Sequence, residues 1–414
     1  MTLESLVRRP AVWLVLLAAG GAFAMTMGAR QSMGLFLSSL NTSTGLGLGS
    51  ISLAFAFGQL WWGLTQPFAG MAAERFGTGR VLIAGVLLVA LGTAITPFMS
   101  STAGLIFAIG VLAAGGAGMA GPSVLMGATA RLTPPERRGM ATGIVNAGGS
   151  FGQFLFAPIA QTVSSAAGWV ASMQTLGLLT LLALPAAWVL KGHVPRAEPA
   201  ASIAAAPAAP QESVRARVVR ALRDSNYQKL CIGFFICGFH IAFIATHLPG
   251  VVASCQLPAE VGAWSLGTVG LFNIFGSLLA GWGIGRWRMK SLLSLIYAAR
   301  GLAVLIFVFS PKTEAVFLVF AATMGLTYLS TLPPTVGLVA KFFGPANVAS
   351  LFGVLMLVHQ LGGFLGAWLG GKAFELTANY NWMWYADILL AVIASLAHLP
   401  IREAPLKRPA LAAA

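Results

Sequence analysis

Apolar residues run along this chain in long unbroken stretches, without the alternation of a strand or of a helix that has one wet face. Such stretches fall near 11–39, 48–71, 80–99, 103–130, 140–163 and 169–190, and again near 228–252, 261–284, 291–310, 314–340, 347–371 and 382–400. Each approaches or exceeds the ~20 residues that a helix needs to cross the hydrocarbon core of a bilayer. The pattern predicts an all-α membrane protein of twelve transmembrane helices. These fall into an N-terminal six-helix bundle at 1–190, a cytoplasmic linker at 191–226 and a C-terminal six-helix bundle at 227–414. The first stretch continues well past the length of a signal-peptide core and shows no small-residue cleavage site, so it is expected to be retained as the first helix. The linker begins Ala/Pro-rich and ends in VRARVVRALR, a basic amphipathic segment suited to an anionic leaflet.

Composition agrees. Hydrophobic residues make up 57% of the 414 and charged residues 9%, against about 25% charged in a soluble domain. A soluble enzyme, a nucleic-acid binder and a disordered scaffold are poor matches to this composition. The net charge of +14 has a topological reading. With the N-terminus inside, all of the 25 Lys and Arg residues but Lys312, Lys372, Arg30 and Arg300 fall on the cytoplasmic side, as the positive-inside rule requires. The expected location is a bacterial inner membrane, with both termini cytoplasmic and no nucleic-acid partner. Trp169, Trp264, Trp382, Trp384 and Tyr385 are expected to anchor the outer ends of spans. Cys231, Cys237 and Cys255 are too few for a disulfide framework. No phosphate-binding loop is present, so neither ATP nor another cofactor is expected.

The halves look duplicated. Gly70 and Arg75 recur as Gly281 and Arg286, both displaced by 211 positions; the same shift carries Pro134 onto Pro345, and a shift of 210 carries Gly143 onto Gly353. Parallel six-helix repeats with a substrate between them are one of the transporter architectures. Gly70, Glu74, Arg75, Gly77 and Arg80 match the loop signature G-x-x-x-[DE]-R-x-G of the major facilitator superfamily. The chain resembles that superfamily over 11–400, with one extra residue before Arg80. The resemblance implies the major facilitator fold, transport by alternating access, and a conformational latch formed by this loop. Small residues allow close helices: Gly362, Gly366 and Gly370 in the eleventh span, and Gly148 with Gly152 in the fifth. Pro67, Pro122, Pro158, Pro249, Pro333 and Pro334 are expected to bend or break their spans.

Ionisable groups at membrane depth cost ~2.5–3.5 kcal/mol each on insertion scales, so each asks for a reason. They are Arg30, His240, His247, Arg300, His359 and Asp387. Arg30, more than a turn inside the first span, offers a permanently charged planar fork suited to a carboxylate. His240 stands opposite it under the repeat shift. His240, His247 and His359 are candidates for proton coupling, and their spacing is no metal signature. Arg300 and Asp387 have two readings, a buried structural ion pair or a part in transport. Among neutral polar residues Gln31, Asn146, Gln153, Asn273, Thr331 and Gln360, the pair Asn146 and Gln153 shares one helix face.

A deep carboxylate in the N-terminal half, expected of a carrier for cationic drugs, is missing. The expected function is therefore secondary transport of small organic anions, mono- or dicarboxylates, by proton symport. The substrate is placed on Arg30, His240, His359, Asn146, Gln153, Asn273 and Gln360. Within the superfamily the chain resembles the branch of monocarboxylate transporters and oxalate:formate antiporters, through Arg30 and the glycine-rich eleventh span running into GKAFELTANYNW. It departs from that branch where Asn273 stands in place of an eighth-span arginine and His359 in place of an eleventh-span lysine. The alternative is a proton-coupled efflux pump for hydrophobic drugs. The protein is expected to work as a monomer, with the bilayer, a proton and a small anion as its partners.

Overall fold

The structure, a computed structural model, describes residues 12–132, 138–191, 214–344 and 347–403. Its described residues are mostly helical, with no strand among them, and the twelve spans appear as expected. The N-terminal six are Val12–Thr44, Leu48–Phe76, Thr78–Phe98, Thr102–Thr129, Arg138–Ala167 and Trp169–Val189. The C-terminal six are Ser225–Ser254, Ala259–Gly283, Met289–Phe309, Glu314–Phe343, Val348–Thr377 and Asn381–His398. Nine of these are long and apolar enough to cross a membrane by length and composition alone. The other three are the spans that carry Gln59, Asn146 with Gln153, and Asp387, so polar groups at membrane depth lower their hydropathy.

The two halves repeat one packing scheme. In the first half, the fifth span lies on the first: a Cβ at Gly148 would strike the Gly20 backbone, and one at Gly152 the Ala24 backbone. In the second half, the eleventh span lies on the seventh, with Gly362 and Gly366 against the Phe235 and Phe239 carbonyls and Gly238 against that of His359. The small-residue steps thus serve packing within each half, where helices associate through van der Waals contact. Between the halves, the second span packs on the eleventh and the fifth on the eighth.

Most of the linker, 192–213, lies outside the described residues, as do Pro134 and Pro345. Its last part is a helix, Val214–Arg223, which buries Ala221 against the second half and leaves Val219 and Leu222 exposed.

The halves meet at the end opposite the basic loops. There Gly34, in the tight turn Met33–Phe36, backs onto the Ala245 and Thr246 carbonyls. Gly371 abuts Ser52 and Leu48, and Ser165 Oγ lies 3.3 Å from Glu260 Oε1. These approaches continue to mid-membrane, where Gly63 meets Gln360. Toward the basic loops, a Cβ at Gly143, Gly281 or Gly353 would find open space.

One expectation is corrected. Trp384 is no interfacial anchor; it is buried at the heart of an aromatic cluster, 4.9 Å from Phe243 and 5.2 Å from Phe307 between ring centroids. Trp264, Trp382 and Tyr385 are exposed, as anchors are.

Candidate functional site

Arg30 ends the regular part of the first span and is half-buried between the two halves. Its Nη2 donates to Gln59 Oε1 at 2.5 Å, and its Cζ lies 4.9 Å from the Trp62 ring. Gln59 and Trp62 are three apart on the second span, hence on one helix face. Glycines bring the other half close: Gln59 Cβ lies 3.6 Å from where a Gly363 Cβ would be, and Gln360 fills the space left by Gly63. Trp62 Nε1 and Gln360 Nε2 have no hydrogen-bond partner among the described residues. Both are donors. No carboxylate of the described residues lies within 4 Å of Arg30. The region thus joins a fixed cation to donors without acceptors.

The second cluster lies inside the C-terminal half. The tenth span is interrupted between Glu314–Thr327 and Leu332–Phe343, because Pro333 and Pro334 lack the N–H groups a continuing helix needs. Leu332 N turns back to Leu329 O at 2.9 Å. The Thr327 and Tyr328 carbonyls that the interruption frees both accept from Arg300 Nη2, the second at 3.0 Å. The freed N–H of Leu329 donates to Asn273 Oδ1 at 3.0 Å, and Asn273 Nδ2 donates across the seam to Ser150 Oγ at 2.8 Å. The broken helix is therefore closed by one buried cation and one buried amide, as membrane helices require.

A direct pair of Arg300 and Asp387 is replaced by a bridged arrangement. Arg300 Nη1 lies 3.5 Å from His240 Nδ1, and His240 Nε2 lies 3.6 Å from Asp387 Oδ1. His240 accordingly does not face Arg30; it is buried among the ninth and twelfth spans. The repeat shift pairs the two positions, but His240 faces Arg300 and Asp387 within its own half, whereas Arg30 faces Gln59 and Trp62.

The remaining candidates separate. Asn273 is taken up by the broken helix and the seam. Gln153 is buried at the seam beside Gly270, with Nε2 unpartnered among the described residues, and Asn146 is half-buried on the same helix toward the basic loops. His247 Nε2 bonds Ala367 O at 2.7 Å and ties the seventh span to the eleventh. His359 packs 5.0 Å from Phe234 between ring centroids. In the signature loop, Gly77 has φ +92°, a conformation that favours glycine. Glu74 and Arg75 are exposed and form no ion pair with a described residue. Arg75 and Arg80 line a cleft with Lys191 and Trp188. Gln59 and Trp62 were not among the sequence candidates; an amide three positions before a tryptophan inside an apolar run was the only signal.

The family described as Major Facilitator Superfamily matches residues 12–367 and, again, 230–414. The chain is 24% identical over 388 residues to the uncharacterized MFS-type transporter YcxA of Bacillus subtilis (strain 168), covering 89% of this chain and 90% of that one. It is 22% identical to monocarboxylate transporter 13 of Bos taurus, covering 96% and 92%. Among solved structures, the nucleoside transporter NupG superposes with a TM-score of 0.75 at 12% identity, covering 94% of this chain and 99% of that one.

Proposed function

The chain belongs to the Major Facilitator Superfamily of membrane transporters, and we propose that within it the protein moves small monocarboxylates by alternating access, in symport with protons. The observation that carries this reading is Arg30, a guanidinium at the seam whose only described partners are an amide oxygen and an aromatic ring. A fork of N–H donors without a counter-carboxylate is matched by a carboxylate ligand. Gln360, Trp62 and Gln153 supply further donors, and the indole face covers an apolar substrate tail. The name of the bovine relative points to the same class of solute. The one-sided basic loops support the orientation that belongs to this reading, both termini in the cytoplasm of a bacterial inner membrane.

Charge-assisted hydrogen bonds contribute about 1.5–3 kcal/mol each, or roughly 10- to 100-fold in binding. In proteoliposomes, Arg30→Ala is expected to lower lactate uptake by at least that factor. Arg30→Lys, which keeps the charge and loses the fork, is expected to restore little of it. An acidic exterior is expected to speed uptake and an acidic interior to slow it. Uptake unchanged in Arg30→Ala removes this residue from the site and leaves a carrier of other solutes, hydrophobic drugs included.

A further inference from the structure

We propose that the coupling proton binds at the carboxyl of Asp387, beside His240, and acts on the transport seam through Arg300 and the broken tenth span. This assignment rests on the proton-symport reading above and names its site.

Asp387 is fully buried in the twelfth span, and neither carboxyl oxygen has a hydrogen-bond partner among the described residues. An ionised carboxylate in that position is costly, and a proton removes the cost. The groups around it are defined. The seventh span contributes His240 and Cys237, and the ninth Arg300 with Tyr297 stacked near it. The tenth contributes Tyr328, the eleventh His359 beside Cys237, and the twelfth His398 stacked on Tyr297. Of these, only His240 lies within 4 Å of the carboxylate as an ionic partner.

Geometry assigns the protons. Arginine only donates, so His240 Nδ1 accepts from Arg300 and the neutral ring carries its hydrogen on Nε2, directed toward Asp387. The added proton is held at the carboxyl, with the His240 Nε2–H as the donor beside it. Arg300 keeps its charge in either state. With Asp387 protonated, the guanidinium belongs wholly to the Thr327 and Tyr328 carbonyls. When the proton leaves, the carboxylate competes for that guanidinium through His240, and the hold on the broken helix weakens. No bond other than O–H is made or broken.

The broken helix relays this to the seam. Leu329 N–H holds Asn273, which holds Ser150 of the other half. The proton thus acts on an element that is itself tied to the seam, and this gives coupling between sites that do not touch.

The sequence contains only two aspartates, Asp224 and Asp387, and Asp224 caps the seventh span at its end by accepting from the Asn226 and Tyr227 amides. The full-length protein, labelled with carboxyl-13C aspartate and placed in nanodiscs, is titrated by infrared spectroscopy. The expected result is a labelled C=O band that comes and goes with pH. It should persist in Asp224→Asn, shift its midpoint in His240→Gln and be absent when Asp387→Asn is combined with Asp224→Asn. In proteoliposomes with [14C]lactate, Asp387→Asn is expected to keep lactate counterflow. It should lose the accumulation driven by an acid exterior, about tenfold per pH unit for one proton per substrate. A labelled band that does not respond to pH in the unmodified protein overturns the proposal, as does full gradient-driven accumulation in Asp387→Asn. If the unmodified protein shows no lactate counterflow, the substrate reading fails; the infrared titration then decides the proton site by itself.

Discussion

A guanidinium cannot shed its proton at membrane depth, so each one there must find acceptors or a ligand. Arg300 finds two backbone carbonyls and an imidazole nitrogen, whereas Arg30 finds one amide oxygen. Arg300→Ala would orphan the Thr327 carbonyl, leave that of Tyr328 to the weak Cys237 thiol, and leave Asp387 without a nearby cation. Removing one partner of a buried ionic group costs about 3–5 kcal/mol. A marked fall in the melting temperature of the detergent-purified protein is therefore expected, with Arg300→Lys in between. Arg30→Ala should leave that temperature nearly unchanged; an equal fall for both would make Arg30 a structural residue. Both arginines were legible in the sequence, because charge is rare in an apolar run. Their partners were not: nothing in spacing links position 30 to Gln59, or 300 to Thr327.

At the scale of elements, the glycine steps act through distance. Replacing Gly366 by Leu would drive a side chain into the Phe239 carbonyl and separate the seventh and eleventh spans. Gly353, on the same helix, faces open space. The expected outcome is that Gly366→Leu loses most of its folded yield by size-exclusion profile while Gly353→Leu is tolerated. Similar yields would deny the steps their packing role. The sequence identified these glycines and the proline pair of the tenth span. It was silent on how the interruption is satisfied, since the closing groups come from the eighth and ninth spans.

For the whole molecule, the seam is shut at the end opposite the basic loops, from Gly34 and Gly371 as far as Gly63 at mid-membrane. Gly34→Leu would place atoms against the Ala245 and Thr246 carbonyls and prevent that closure. Spin labels at the ends of the second and eleventh spans, near Leu48 and Glu375, are expected to move apart in Gly34→Leu. Transport should stop while carboxylate binding persists. An unchanged distance distribution would show that this contact does not set the state.

Sequence alone determined the twelve spans, the one-sided placement of basic charge, the duplication and the short roster of membrane-depth ionisable groups. Each of these follows from the transfer cost of residues between water and hydrocarbon, a quantity written position by position along the chain. Only the tertiary structure decided that His240 turns away from Arg30 to stand between Arg300 and Asp387. It also decided that Trp384 is core, and that Gln59 and Trp62 join the seam. Those outcomes depend on how each helix is rotated and crossed against neighbours far away in sequence. Rotation is set by side-chain packing among several helices at once, which no single span encodes.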